Sequence, residues 1–179
     1  MKEDIPSRHT YQDSCKLLQE LGYLEKGDIP PIPGHRPQYD DEPLGVSFFR
    51  TFVGEGDLEN MTLPRTYFAR SEVGPVSFKN TDLSESTLCW NDFNEVDFTD
   101  ADLSRSDLRA TNFTGAVFVR ANLRDADLRR STFENCDFNE ADMLGAKLTR
   151  DQGESIPLSE RHRKEIDWQD SDGDEPLGG

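Results

Sequence analysis

The stretch ADLSRSDLRATNFTGAVFVRANLRDADL, residues 101–128, carries a large apolar residue at every fifth position. These residues are Leu103, Leu108, Phe113, Phe118, Leu123 and Leu128. A helix returns to one face every 3.6 residues and a strand every two, so neither period explains the spacing. The same register continues without interruption from Phe48 to Leu148. The chain therefore contains an internal repeat, and this repeat decides the fold.

A longer period of twenty residues lies within the first. From Leu83 onward the repeated positions read Leu, Leu, Phe, Phe in order, with Met143 in place of one Leu. If each five-residue unit forms one side of a coil and four sides close it, residues twenty apart stack in columns. Successive coils then pair as parallel strands about 4.8 Å apart. The nested periods predict an all-β solenoid, a quadrilateral parallel β-helix of about five coils and about 24 Å in length.

The residues that precede each repeated position fit this geometry. The residue two before is small in most units, as in Ala101 and Ala121, because little space remains inside the coil. An Asp or Asn lies between the two in most units, as in Asp102 and Asn122. Such side chains hydrogen-bond nearby backbone groups at tight turns. Both features predict sharp corners between the sides of the coil.

The units ADLSR, SDLRA, ANLRD, ADLRR, CDFNE and ADMLG resemble the A(D/N)Lxx unit of pentapeptide-repeat proteins. The resemblance is specific from Thr81 to Arg150 and weaker from Val46 to Asn80. It implies a right-handed quadrilateral β-helix, in agreement with the column argument. It does not fix a function, because one fold carries many functions.

The chain divides into four predicted segments. They are an N-terminal helix with a Pro-rich capping segment (1–45), the β-helix (46–150), a C-terminal capping segment (151–168) and an acidic disordered tail (169–179). Both ends of a solenoid expose apolar surface and strand edges unless something covers them. The flanking segments are therefore interpreted as caps.

Each flank carries a helix signal. In the N-terminal flank, Tyr11, Cys15, Leu18 and Leu21 recur on one side of a predicted helix that ends at Gly22. The stretch DIPPIPGHRPQYDDEP that follows has no periodicity and is either an ordered crossover or a linker. In the C-terminal flank, a short helix is predicted to begin near Ser155 or Ser159. Leu158, His162 and Ile166 lie on one face of that helix.

Composition limits the class of function. A net charge of −16 over 179 residues argues against direct binding to nucleic acid or to an anionic membrane. Three cysteines form no disulfide framework or metal site, and no signal peptide or membrane span is apparent, so a cytoplasmic protein is predicted. The three histidines lie in the flanks, and no cofactor-binding motif is present. A non-enzymatic protein without a cofactor is therefore expected.

The outward charges sort by side of the coil. The side of Leu108 and Leu128 is predicted to present the basic residues Arg109, Arg129, Arg130, Lys147 and Arg150. The two Phe sides are predicted to present the acidic residues Asp92, Glu95, Asp97, Asp100, Glu134, Asp137 and Glu140. This pattern suits either an ordinary solvated surface or a surface matched in charge to a partner.

Trp90 is a further candidate contact, because it is predicted to face outward and Trp is enriched at binding hot spots. The alternative is local packing with a cation–π contact to Arg70, which lies twenty residues earlier. Cys89 is also expected to face outward. Cys136 occupies the small inward position and is predicted to fill the core.

Three functional hypotheses follow. The first is a protein-binding module that neutralises or regulates a basic partner by occlusion, like an immunity protein. The second, which the family resemblance implies, is a DNA mimic that binds DNA gyrase and protects it from inhibitors. A length of only about five coils and the interrupting arginines make this the alternative. The third is a passive scaffold or an enzyme located in the flanks. Either a monomer or an end-to-end homodimer is compatible with the repeat.

Overall fold

The structure is a computed structural model that describes residues 4–39, 42, 44–54 and 56–170. The chain is a parallel β-solenoid of about six turns with short helices at both ends. This confirms the predicted fold class and adds about one turn to the predicted five. No helix within the described ranges is long and apolar enough to span a membrane.

The solenoid is built from very short strands. They are β1 (Ser47–Phe49), β2 (Phe52–Val53), β3 (Gly56–Asp57), β4 (Tyr67–Ala69), β5 (Glu72–Val73), β6 (Val76–Ser77), β7 (Asp92–Asn94), β8 (Asn112–Thr114), β9 (Thr132–Glu134), β10 (Lys147–Thr149) and β11 (Asp167–Gln169). Partners lie twenty residues apart in parallel register, as in Phe93 with Phe113. Single parallel bridges, such as Asp102 with Asn122, continue the pairing on the remaining sides.

Four faces, named A to D, surround the core. The inward residues of face A are Phe48, Phe68, Leu88, Leu108, Leu128 and Leu148, and those of face B are Val53, Val73, Phe93, Phe113 and Phe133. Those of face C are Leu58, Phe78, Phe98, Phe118 and Phe138, and those of face D are Leu63, Leu83, Leu103, Leu123 and Met143. The Phe rings stack along the axis, with centroids of Phe113 and Phe133 5.3 Å apart. The predicted columns are therefore confirmed.

Left-handed backbone makes the corners between faces. Nearly every fifth residue has a positive φ, including bulky ones such as Trp90 (60°) and Arg130 (63°). This conformation is uncommon for residues other than glycine. The preceding Asp or Asn supports the turn, because its carboxylate or amide oxygen accepts from the backbone two residues on, as Asp97 does from the Thr99 N–H at 2.9 Å. The Asp and Asn signal thus has the predicted role.

Helix α1 (Tyr11–Glu20) covers the N-terminal end of the solenoid. Its N-cap, Thr10, accepts a hydrogen bond from the Asp13 N–H at 3.1 Å. Cys15 and Leu18 are buried, as predicted, whereas Leu21 is 51% exposed because the helix has already ended at that point. Gly22 follows with a φ of 82°. The apolar contacts between this helix and the solenoid therefore come largely from one helical turn.

The Pro-rich segment is an ordered crossover and not a linker. We name residues 28–39 the strap. The Arg65 guanidinium donates to the carbonyls of Pro33 and Gly34, both at 2.8 Å. Arg36 donates to the Arg105 carbonyl at 3.1 Å, and Thr87 donates to the carbonyl of Pro37. The strap thus lies along the corner between faces D and A.

Helices α2 (Arg150–Ser155) and α3 (Glu160–Glu165) cover the C-terminal end. Thr149 and Ser159 begin them with capping boxes, so Ser159 is the start signal that the structure uses. Strand β11 then pairs with β10 at the twenty-residue register, with Trp168 beside Leu148. Gln169 is therefore in a strand and not in the tail. The remainder of the predicted disordered tail, residues 171–179, lies outside the described residues.

Candidate protein-binding surfaces

The middle of face A is closed to solvent. Residues on both sides of its inward positions are buried, namely Tyr67, Ala69, Thr87, Cys89, Asp107, Arg109 and Arg129. Arg109 and Arg129 are each only 6% exposed, so the prediction that both present an outward basic surface is wrong. Face A therefore offers a partner few charges in its middle.

A ladder of ion pairs explains how two arginines are buried on face A. The Arg109 guanidinium donates to both carboxylate oxygens of Asp107, from Nε at 2.9 Å and from Nη2 at 2.8 Å. Arg129 makes the same two contacts with Asp127, at 2.9 and 2.6 Å. Arg109 Nε also lies 3.8 Å from Asp127, which links the two coils. The bidentate geometry is the strong form of this contact.

The ladder is electrically balanced. Burial opposes ionisation of Asp127, but hydrogen bonds and positive charge from Arg129, with the charge of Arg109, outweigh it and lower its pKa. For Arg109, the hydrogen bond to Asp107 outweighs burial and raises its pKa. The opposite charges of Arg109 and Asp127, which lie 3.8 Å apart, therefore offset each other within face A.

The strap covers the upper part of face A. Cys89 is fully buried there, although it was predicted to face solvent, because the strap passes over its outward side beside Thr87. Burial raises the pKa of the Cys89 thiol to about 12. Cys136 is buried at the small inward position, where its Sγ lies 3.5 Å from the Phe113 carbonyl oxygen. It fills the core as predicted.

Faces B and C are open to solvent and acidic. The exposed carboxylates on these faces and at their corners are Asp57, Glu72, Asp92, Glu95, Glu134, Asp137 and Glu140. Within the described part of the chain, none of them has an ion-pair partner. Two other predicted candidates are neutralised: Asp97 lies 3.3 Å from Lys79, and Asp100 lies 2.8 Å from Arg120. The uncompensated charge therefore concentrates on the acidic residues given above.

The corner between faces A and B carries a row of basic residues, which we name the arginine ridge. It consists of Arg50, Arg70, Trp90, Ala110, Arg130 and Arg150. The four arginines are exposed, and Trp90 is 48% exposed. Arg130, Arg150 and Trp90 thus lie on the surface as predicted, whereas Arg109 and Arg129 do not.

The aromatic contacts of the ridge differ from the prediction. The cation–π contacts among the described residues join Arg50 with Phe49, at 5.1 Å, and Arg150 with Trp168, at 5.6 Å. The predicted pair of Arg70 and Trp90 is not among them; instead, these two residues border a shallow groove of about 500 Å³. Trp90 consequently keeps an apolar surface in contact with solvent.

The histidines serve the caps. His162 is buried, and its Nε2 lies 3.1 Å from the carbonyl oxygen of Ala141 in the last complete repeat. The His9 backbone N–H donates to the Asn60 carbonyl at 2.7 Å. The His35 ring contacts the Arg36 carbonyl at 3.0 Å. These contacts are consistent with structural roles.

Comparison with known proteins places the chain among repeat solenoids. The sequence profile of the family described as pentapeptide repeats matches residues 76–109 and 116–150, in 8 copies. None of the curated proteins matches the chain.

Several solved structures are similar to it. A pentapeptide-repeat protein (Rfr23) from the cyanobacterium Cyanothece 51142 is 23% identical, with a TM-score of 0.44, over 56% of this chain and 62% of that protein. A pentapeptide-repeat protein from the Arabidopsis thaliana thylakoid lumen is 31% identical, with a TM-score of 0.33, over 60% of this chain and 68% of that protein. QnrB1, a plasmid-mediated fluoroquinolone resistance protein, is 21% identical, with a TM-score of 0.35, over 57% of this chain and 53% of that protein. The chain thus spans about two thirds of the length of the first two proteins and about half of the third.

Proposed function

Since this chain belongs to the pentapeptide-repeat family, we propose that it is a non-catalytic protein-binding module that neutralises or regulates a basic partner protein by occlusion. The observation that carries the proposal is the contrast between the closed middle of face A and the open faces B and C. Charges on face A cancel in pairs, whereas the exposed carboxylates on faces B and C have no such partners among the residues that the structure describes. The proposed binding surface therefore consists of faces B and C.

The chemistry of the surface sets the class of partner. Uncompensated carboxylates spaced along a rigid scaffold favour a surface rich in Lys and Arg, because complementary potentials raise the association rate and disfavour like-charged partners. The net charge of −16 acts in the same direction at long range. Of the acidic residues singled out from the sequence, five belong to this surface: Asp92, Glu95, Glu134, Asp137 and Glu140. Glu72 extends it.

The proposal includes a cellular setting and an assembly state. Cys15, Cys89 and Cys136 have buried thiol side chains, which suit a reducing compartment such as the cytoplasm. Helix α1 covers one end of the solenoid, and α2 and α3 cover the other. Covered ends favour a monomer over the end-to-end homodimer, since stacking requires free strand edges.

The test is affinity capture from the native host with a matched pair of charge variants. Glu134, Asp137 and Glu140 are replaced by Lys in one variant, and the exposed residues Glu20, Glu25 and Asp28 in the other. Both variants change the net charge equally. A basic protein that binds the wild type and the control, and is lost from the first variant, supports the proposal. Equal retention by both variants overturns it.

The second candidate function is that of a DNA mimic that binds DNA gyrase and protects it from inhibitors. The observation that favours it is the row of exposed carboxylates along one side of a rod. About six turns give a length of only about 29 Å, and the arginine ridge borders the acidic faces. A gyrase supercoiling assay with purified protein tests this candidate. The candidate is eliminated if an excess of this protein over the enzyme neither inhibits gyrase nor protects it from an inhibitor.

A further inference from the structure

The groove beside Trp90 spans two neighbouring turns of the solenoid. Arg70 and Glu72 border it on one turn, and Trp90 and Asp92 border it on the next. In each turn the first residue lies at the corner between faces A and B, and the second begins a strand of face B. Glu72 and Asp92 are register partners in these two strands. Two carboxylates therefore lie on adjacent strands beside an indole that is 48% exposed.

The two carboxylates have acceptor capacity that the protein does not use. Asp92 Oδ1 accepts from the Asn112 side chain at 2.7 Å, which orients the carboxylate. Among the residues that the structure describes, Asp92 Oδ2 and the carboxylate of Glu72 have no hydrogen-bond or ion-pair partner. Like charges on adjacent strands repel each other. A cation placed between the two carboxylates relieves this repulsion and supplies hydrogen-bond donors.

The polar groups of the groove favour a cation over an anion. Glu72 and Asp92 carry two negative charges, against one positive charge on Arg70. The hydroxyl of Ser71, which also borders the groove, donates to the Phe48 carbonyl at 2.6 Å and so is not available to an anion. The face of the Trp90 indole attracts cations. Charge and aromatic character thus select the same class of ligand.

We propose that this groove receives an arginine side chain of the basic partner protein. The guanidinium stacks on the Trp90 indole and donates to the carboxylates of Glu72 and Asp92. Arginine suits the groove better than lysine, because its planar guanidinium stacks on aromatic rings and donates along several directions at once. The inference rests on the proposed function for the source of the arginine. It makes Trp90 an anchor at the edge of the acidic surface.

The test is an NMR titration of the full chain with acetyl-Gly-Arg-Gly-amide. The Trp90 indole N–H signal reports on the groove. The Trp168 indole N–H, which donates to the Arg163 carbonyl at 2.9 Å in the C-terminal cap, is the internal control. We expect a dose-dependent shift of the Trp90 signal alone. The lysine peptide should bind severalfold more weakly, and the citrulline peptide, which is neutral and of the same shape, about tenfold more weakly.

Two outcomes of the titration overturn the proposal. Equal responses to the arginine and citrulline peptides would show that charge does not contribute to binding. A stronger response to acetyl-Gly-Asp-Gly-amide would assign the groove to an anion.

Variants locate the contact. Glu72→Gln and Asp92→Asn should each raise the Kd of the arginine peptide about threefold. Glu134→Gln is the matched control, because Glu134 is exposed on the same face two turns further along, and it should leave the Kd unchanged. Arg70→Gln should lower the Kd about threefold, since it removes a like charge from the groove. An equal change in the control, or weaker binding after Arg70→Gln, overturns the proposal.

The titration and the affinity capture described above fail separately. If capture yields a basic partner but the arginine peptide does not shift the Trp90 signal, the groove is not an arginine site and the proposed role of faces B and C stands. If the peptide binds as expected but capture yields no basic partner, the arginine site stands and the proposed function fails.

Discussion

Faces A and B are built from the same five-residue unit, yet their outward side chains have opposite environments. On face A, Asp107 and Arg109 flank an inward Leu and are buried against each other. On face B, Asp92 and Asn94 flank an inward Phe and are exposed. Both units end at a residue with a φ of 53°, Ala110 and Glu95. What differs is the pairing of the outward residues and whether another segment covers them.

The contrast teaches that an outward position in a solenoid does not imply an exposed side chain. Residues one before and one after an inward position point to the same side of the strand. When they are Asp and Arg, they form a bidentate pair that carries little net charge and tolerates burial. When both are acidic or amide residues, they stay solvated. The charges of face A are thus paired with each other, whereas the charges of face B remain accessible to a partner.

The largest expected effect comes from breaking the ladder on face A. Arg109→Met keeps much of the side-chain volume but leaves Asp107 buried without its bidentate partner. We expect the free energy of unfolding to fall by about 3–5 kcal/mol. Urea unfolding measures it. Arg124→Met, at an exposed pair with Asp142, is the control and should cost under about 1 kcal/mol. A similar loss in both variants would show that the ladder has no special role.

A smaller effect is expected from the pH dependence of the same ladder. The pKa of Asp127 is lowered in the folded state because Arg129 and Arg109 outweigh its burial. Its contribution is therefore present above the unfolded pKa of about 3.9 and is lost as the pH falls through the folded value. Asp127→Asn should cost about 2 kcal/mol at pH 7 and flatten the loss of stability below about pH 4. Unfolding curves from neutral to acid pH, with Asp137→Asn as control, check this. If Asp127→Asn leaves the loss of stability below about pH 4 unchanged, Asp127 does not make this contribution.

Releasing the strap should have a local effect on face A. Replacing Arg36 and Arg65 by Ala removes the side-chain contacts that they make with the Arg105 carbonyl and with Pro33 and Gly34. Local opening should become easier by roughly 1–2 kcal/mol, so alkylation of Cys89 should accelerate about tenfold. Peptide mapping by mass spectrometry compares the alkylation rate of Cys89 with that of Cys136. Arg105→Ala, which also loses a contact with Glu85, is the control. Equal acceleration at both cysteines would indicate global unfolding.

The smallest effect is expected on open face B. The Asn112 side chain donates to Asp92 at 2.7 Å and accepts from the Thr132 hydroxyl at 2.9 Å. Asn112→Asp places a second carboxylate beside Asp92 and should cost about 0.2–1 kcal/mol. The cost should shrink in high salt, and Asn112→Ser should show no such salt dependence. A loss as large as that from Arg109→Met would remove the distinction between the two faces.

The sequence allowed the fold to be predicted almost completely, because one periodic signal specifies both the inward positions and their stacking. Leu103 and Phe113 lie where the periods of five and twenty place them. The additional turn was detectable in principle, since Trp168 follows Leu148 at the same interval of twenty. The intervening helices α2 and α3 break the period of five and conceal that interval.

The candidate surfaces were predicted less well. Arg130 and Arg150 are exposed as expected, but the burial of Arg109 depends on Asp107 two residues earlier and on close packing with the next coil. The Asp-Leu-Arg sequence repeated at Asp107 and Asp127 is the signal that indicates this pairing. The burial of Cys89 had no such signal, because the strap that covers it lacks periodicity and its position depends on tertiary contacts with Arg65 and Thr87.

The left-handed corners have a consequence for how such a chain diversifies. Arg, Asn, Glu, Asp, Ala and even Trp occupy them with nearly the same φ, and their side chains leave the rod without entering the core. A substitution at a corner therefore changes what the molecule displays while the packing beneath stays the same. Each column of corner residues therefore presents one replaceable side chain per turn, at intervals of about 4.8 Å. Specificity for a new partner is able to evolve there one substitution at a time, because each intermediate sequence keeps the core residues and still folds.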